Sequence, residues 1–377
     1  MRFLFPLLLL GMVACQPTNK QKQAEPVYTN KQLGQLIIVG FRGTEISKES
    51  AIVKDIKERN IGGFILTDFD ASTQTSRRNI KDAMQLLKLS SALVGYSSNP
   101  PIIALNQEGG EVSPLNAYSG SPRTVSAKHL GQIDKEDSTR FYSKNMAQEF
   151  MVVGVNTNFA PVLDLDINKE SPSLSKKGRS FSDHPEKVTE HAGYFLDEFD
   201  REGILTVLKH FPGLGSARSN PHNGIVDVTD TWDARELIPY KNLFFERNIN
   251  GVMASHIYNA KIDSVWPATF SDKTINGLLR DSLGFNGVVF SDDLQLQFIQ
   301  DKYGFETAIA QALNAGVDML IFGNNEYYDE QIAEKVITIL QKLIAEGTLS
   351  PETIDTALQR VAKLKQDVIA ELCTCLN

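Results

Sequence analysis

Short apolar runs recur along the chain at 36–40, 62–67, 101–105, 157–165, 204–208, 251–256, 287–291 and 317–322. Most are continuous rather than alternating. A strand with one wet face alternates apolar and polar residues, whereas a parallel strand covered on both faces reads as an unbroken apolar run. Between the runs the period changes. Val188, Ala192, Phe195, Leu196 and Phe199 fall on one helical stripe, with Pro185 in the first turn. Tyr142, Met146 and Phe150 form a similar stripe before the fourth run. Ser350-Pro351-Glu352 reads as a cap, a first-turn proline and an acidic first turn, opening a helix through Ile354, Leu358, Val361 and Leu364. Eight strand–helix units in one chain predict an α/β fold, a single (β/α)8 TIM-type barrel.

The chain has 377 residues, 42% of them hydrophobic and 22% charged, enough to bury one large core. Its formal net charge of −8, with no long basic block, argues against nucleic acid as a partner. The N-terminus changes the picture more. Arg2 and the apolar stretch 3–13 form a signal-peptide pattern too short to span a bilayer as a mature helix. Met12-Val13-Ala14-Cys15 resembles a bacterial lipobox, in which Cys15 becomes the lipidated first residue. The expected organisation is a lipoprotein signal at 1–14, a polar tether at 15–27, the barrel domain at 28–372 and a tail at 373–377. An acyl anchor holds a domain to a membrane surface without crossing it. Cys373 and Cys375 are too few for a closed metal site and too close for an unstrained disulfide. No metal or cofactor is expected, because there is no P-loop, dinucleotide fingerprint or zinc-spaced cluster.

In such a barrel the chemistry lies where the strands end at their C-terminal side. The third run leads into Asn106-Gln107-Glu108-Gly109-Gly110, and the fourth into Asp164 and Asp166, with Gly178-Arg179 in its loop. The fifth gives way to a loop at Lys209-His210, the sixth ends in Ser255-His256, the seventh in Asp292-Asp293, and the eighth in Gly323-Asn324-Asn325. Beyond Lys209-His-Phe-Pro-Gly213, His222 rides on a loop rich in glycine, proline and serine, placing a titratable imidazole near the rim.

Lys209-His-Phe-Pro-Gly213 together with Ser291-Asp-Asp-Leu294 resembles glycoside hydrolase family 3, in its NagZ-like β-N-acetylglucosaminidase branch. Motifs in order carry the resemblance over roughly residues 30–370. It implies the short version of the fold, with no second sandwich domain, and a covalent glycosyl-enzyme mechanism. The nucleophile it implies is Asp292. Asp293 points the other way on a continuing strand and is expected to be structural. The implied acid/base is His222, whose imidazole has a free pKa of about 6.5 and is suited to donating and then accepting a proton. Arg179, Lys209 and His210 are implied as substrate ligands, and His256 as a residue lining the barrel.

Two positions depart from the family pattern. Where the family has an aspartate two residues before the histidine, this chain has Asn220, which can orient an imidazole but adds no charge to stabilise its protonated form. Asp227 is an alternative partner. Where the family has an aspartate gripping sugar hydroxyls, this chain has Asn106, and the residue after the glycines, usually basic, is Glu111. The implied activity is an exo-acting hydrolase releasing terminal β-N-acetylglucosamine from peptidoglycan-derived or chitin-type oligosaccharides. Alternatives are a phosphorylase of the same family and a sugar-binding lipoprotein impaired by Asn106 and Asn220. The expected location is outside the cytoplasm, at the outer membrane or periplasmic face in a Gram-negative cell, as a lipid-anchored monomer.

Overall fold

The computed structural model describes residues 27–117, 120–220 and 224–369. The lipobox, most of the tether, His222, Cys373 and Cys375 lie outside these.

Eight parallel strands close a barrel. They are β1 (Ile37–Gly40), β2 (Gly63–Ile65), β3 (Ile102–Leu105), β4 (Thr157–Asn158), β5 (Leu205–Phe211), β6 (Gly251–Ala254), β7 (Val288–Asp293) and β8 (Met319–Phe322). Each pairs with its sequence neighbours, and β1 closes on β8 with Ile37 opposite Leu320. Burial of β1, β3, β6 and β8 is complete. Sheet and helix cover both faces of these strands, which accounts for their unbroken apolar runs.

The helices follow the predicted stripes. They include α1 (Ala51–Arg59), α2 (Ala83–Tyr96), α3 (Glu136–Val153), α4 (Pro185–Arg201), α5 (Ile238–Glu246), α6 (Phe305–Asn314), α7 (Ile332–Ala345) and α8 (Pro351–Leu364), with a π-helical segment, Lys273–Ser282, after β6. On α4, Val188, Ala192, Phe195, Leu196 and Phe199 are all buried, and Pro185 sits in the first turn. Phe199 packs edge-on against Phe150 of α3. The Ser350 hydroxyl accepts from the Thr353 N–H at 3.1 Å, capping α8 as its sequence predicts.

Two strands differ from expectation. The run at 157–165 forms a regular ladder over two residues only; Pro161 has no N–H to contribute, and pairing resumes as a single bridge at Val162 opposite Lys209. Side chains replace the lost bonds: Asn158 receives the Gln107 N–H at 3.0 Å and donates to the Gln107 carbonyl at 3.0 Å. Asn156 similarly receives the Ile103 N–H at 2.8 Å. Conversely, β5 continues to Phe211, with a register irregularity against β6 between Leu208 and Phe211. Lys209 and His210 are therefore strand residues, held more firmly than loop residues would be.

Candidate active site

Each functional side chain is placed by the backbone that carries it. After β3 the chain makes a tight turn in which the Glu108 N–H reaches the Val112 carbonyl at 2.9 Å. Gly109 and Gly110 have φ of +102° and +64°, and a side chain on Gly109 would collide with the Val125 carbonyl. Glycine is required there. The turn leaves Asn106 and Glu108 at the barrel mouth and sends Glu111 outward. After β4, Gly178 (φ +64°) ends a short 3-10 turn, and Arg179 follows.

The deepest feature is an ion cluster. Glu108 receives two parallel bonds from Arg179, Nε and Nη2, both at 2.7 Å, and its Oε1 meets Lys209 Nζ at 2.6 Å. The Lys209 and Glu108 side chains are 2% and 4% exposed, so neither ion is solvated and each depends on the other. Burial alone would raise the Glu108 pKa, but Arg179 and Lys209 outweigh it and hold the carboxyl well below its usual range. Burial lowers the Lys209 pKa, opposed by Glu108; it would also lower that of Arg179, but there Glu108 prevails and the guanidinium is held more firmly protonated. Lys209 Nζ also donates to Asn106 Oδ1 at 3.0 Å, which turns the Asn106 amide nitrogen away from the ammonium.

Beside the cluster, Asp164 is fully buried and meets His210 Nδ1 at 2.7 Å. Its other oxygen accepts the Leu214 N–H at 2.8 Å and the His210 N–H at 3.2 Å. With Nδ1–H donating to a carboxylate, Nε2 is left as an acceptor, and Arg179 Nη2 lies 3.4 Å from it. Asp166 is turned elsewhere, accepting from Ser175 Oγ and pairing with Lys169 at 3.1 Å.

Asp292 and Asp293 end β7 with different surroundings. Asp293 Oδ1 accepts the Gly323 N–H at 3.0 Å and the Gln295 N–H at 2.9 Å, and a Cβ at Gly323 would collide with its carboxylate. Asp293 is thus bound into the β7–β8 junction. Asp292 accepts the Asp293 N–H at 2.8 Å and is half-buried. Its charge is felt by both Arg179 and Lys209. His256 is buried, its Nε2 3.1 Å from the Asp293 carbonyl oxygen.

One cavity of about 590 Å³ unites these groups, with Asn106, Glu108, Arg179, Lys209, His210, Asn220 and Asp292 all on its wall. That is within the range of about 300–1,000 Å³ that encloses small ligands. Of the site residues read from the sequence, only Cys15 and His222 fall outside the described residues. Asp227 does not line this cavity; it is exposed and accepts the Thr229 N–H at 2.9 Å. Sequence reasoning placed Glu108 and Asp164 at the rim but gave them no role. A lysine at the end of an apolar strand calls for a carboxylate counter-ion, but the sequence does not say which carboxylate supplies it. No group of three or more metal-ligating side chains occurs among the described residues.

With this geometry in place, comparison with known proteins defines the class. Residues 28–364 match the glycosyl hydrolase family 3 N terminal domain. The chain belongs to glycoside hydrolase family 3. It is 31% identical over 293 residues to a beta-hexosaminidase of Tolumonas auensis, covering 77% of this chain and 83% of that protein. It is 29% identical over 349 residues to the beta-hexosaminidase LpqI of Mycobacterium tuberculosis, covering 89% and 82%. Among solved structures, a family 3 beta-N-acetylglucosaminidase from Paenibacillus superposes with a TM-score of 0.81 at 29% identity. The match covers 90% of this chain and 62% of that longer one.

Proposed function

We propose that the protein is a retaining, exo-acting β-N-acetylglucosaminidase. The observation that carries this reading is Asp292 at the end of β7, in the same cavity as the buried Lys209–Glu108–Arg179 cluster. Asp292 attacks the anomeric carbon, forming a glycosyl ester as the bond to the leaving oxygen breaks, and His222 supplies that oxygen with a proton. In the second step His222 takes a proton from water, the water oxygen bonds to the anomeric carbon, and Asp292 is released. Lys209, Arg179 and Asn106 present fixed donors to the sugar held between them, with His210 held beside them by Asp164. Because their ion pairs are already formed, they need not reorganise when substrate arrives.

A chromogenic β-N-acetylglucosaminide, with and without phosphate, tests this reading. Asp292→Asn should lower turnover by roughly 10⁴-fold or more while the thermal transition is kept. A variant retaining more than a tenth of the activity would remove Asp292 from the role. Phosphate-dependent release of a sugar 1-phosphate would make the second step phosphorolysis instead of hydrolysis. Absence of turnover on this sugar would favour a binding role, with Asn106 and Asn220 as its cause.

The reading extends to location. Lipidation of Cys15 would tether the barrel to a membrane surface through the polar segment after it, as a monomer outside the cytoplasm. No helix among the described residues is long and apolar enough to cross a membrane.

A further inference from the structure

The wall of the cavity divides into two parts by charge. The inner part holds Lys209, Arg179 and Glu108, paired with one another. The outer part carries three carboxylates: Asp68 after β2, Glu111 after β3 and Glu326 after β8. Lys177 is the one cation beside them on that wall among the described residues. β3, β2, β1 and β8 are consecutive around the barrel, so the three carboxylates rise from one arc of its rim. Glu111 and Lys177 are exposed, whereas Asp68 and Glu326 are half-buried. Burial pushes the Asp68 carboxyl up, and Glu111 is the exposed carboxylate of the arc.

A sugar cleaved at Asp292 has its terminal residue against the inner cluster and its remainder toward the open rim, beside this arc. Charges within about 8 Å are little screened at physiological ionic strength, and less so where protein rather than water forms the wall. Building on the glycosidase reading of the cavity, we propose that this acidic arc selects the charge of the leaving sugar, accepting a neutral or amino sugar and disfavouring one that bears a carboxylate. Glu111 is the specificity-determining residue. It is exposed on the cavity wall, in the turn imposed by Gly109 and Gly110, where a leaving group can reach it. The leaving group that fits is N-acetylglucosamine or glucosamine, as in a fully or partly acetylated chitin-type chain. A lactyl-bearing sugar of the peptidoglycan type brings a carboxylate to the wrong wall, and Lys177 alone does not offset it.

The experiment compares kcat/KM for three β-1,4 disaccharides with N-acetylglucosamine at the non-reducing end. The leaving residue is N-acetylglucosamine, glucosamine or N-acetylmuramic acid. Wild type, Glu111→Lys and Glu111→Gln are assayed at low salt and at about 0.5 M salt. Wild type should favour the neutral over the anionic substrate by about tenfold, with the cationic one at least equal to the neutral. Salt should raise the anionic rate and lower the cationic one. Glu111→Lys should shift the neutral-to-anionic ratio by about tenfold toward the anion, and Glu111→Gln by less. A wild type that cleaves the anionic substrate as well as the neutral one overturns the proposal, and so does a ratio unchanged in both variants. Wild-type turnover of the aryl glycoside separates the two levels: its loss takes down the glycosidase reading as well, whereas its presence without charge discrimination overturns only this inference.

Discussion

Lys209 and Arg179 are taken out of water and share one carboxylate, Glu108, so the inner pocket is rigid before any sugar enters. Asn220 stands in contrast: it lines the same cavity but brings no charge. If His222 is the proton donor, an amide partner leaves its protonated form without electrostatic support. Asn220→Asp should therefore raise kcat/KM on an aryl N-acetylglucosaminide about tenfold and move the basic limb of the pH profile upward. An unchanged rate and profile would mean that another group orients the imidazole. The cations of this site were legible in the sequence because lysine and arginine seldom lie among buried runs without a purpose. Their partners were not, because Glu108 is remote in the chain from both and only the closed barrel brings them together.

The element that supports the site most directly is the turn after β5 with the short helix Ala234–Leu237 beneath it. Glu236 in that helix is completely buried; its Oε2 accepts the Gly215 N–H at 2.7 Å and it also receives the Leu165 N–H. Gly213 and Gly215 pass so close that a Cβ on either would strike Glu236. Burial, then the nearby Asp164, pushes the Glu236 carboxyl well above its ordinary 4.5. An acid whose pKa is raised on folding stays protonated in the native state while the unfolded chain ionises. Stability is thus lost as pH rises above about 4.5 toward the folded value. Glu236→Gln removes that loss. The variant should gain about 1–3 kcal/mol relative to wild type between pH 4 and pH 8, read from urea midpoints at the two pH values. A difference independent of pH would show that the carboxyl is ionised in place. The same scale shows where pattern reading falls short: β4 is shorter and β5 longer than their apolar runs, because Pro161 interrupts one ladder and Lys209 and His210 find partners inside the other.

Across the whole molecule, eight strand–helix units converge on one cavity at the C-terminal ends of the strands, and the first described residues are docked to α8. Tyr28 donates to Asp355 of α8 at 2.8 Å. If Cys15 carries lipid, the polar stretch of sequence between it and the barrel would let the barrel work at a surface. Cys15→Ser should then move the expressed protein from the detergent phase to the aqueous phase in a phase-partition assay, with aryl glycosidase activity per molecule within about twofold. Aqueous partitioning of the wild type would remove the anchor.

The sequence by itself determined the barrel, since continuous apolar runs separated by amphipathic stripes have few other ways to bury themselves. It also determined which strand ends carry polar groups, because burial tolerates such groups only there. Tertiary structure decided the pairing of those groups. It joined Glu108 to Arg179 and Lys209, and Asp164 to His210, across the rim. It also bound Asp293 to Gly323 and set Asp292 beside it on the cavity wall. Pattern is a local property of the chain, whereas pairing of buried charge depends on distances that exist only once β1 has closed against β8.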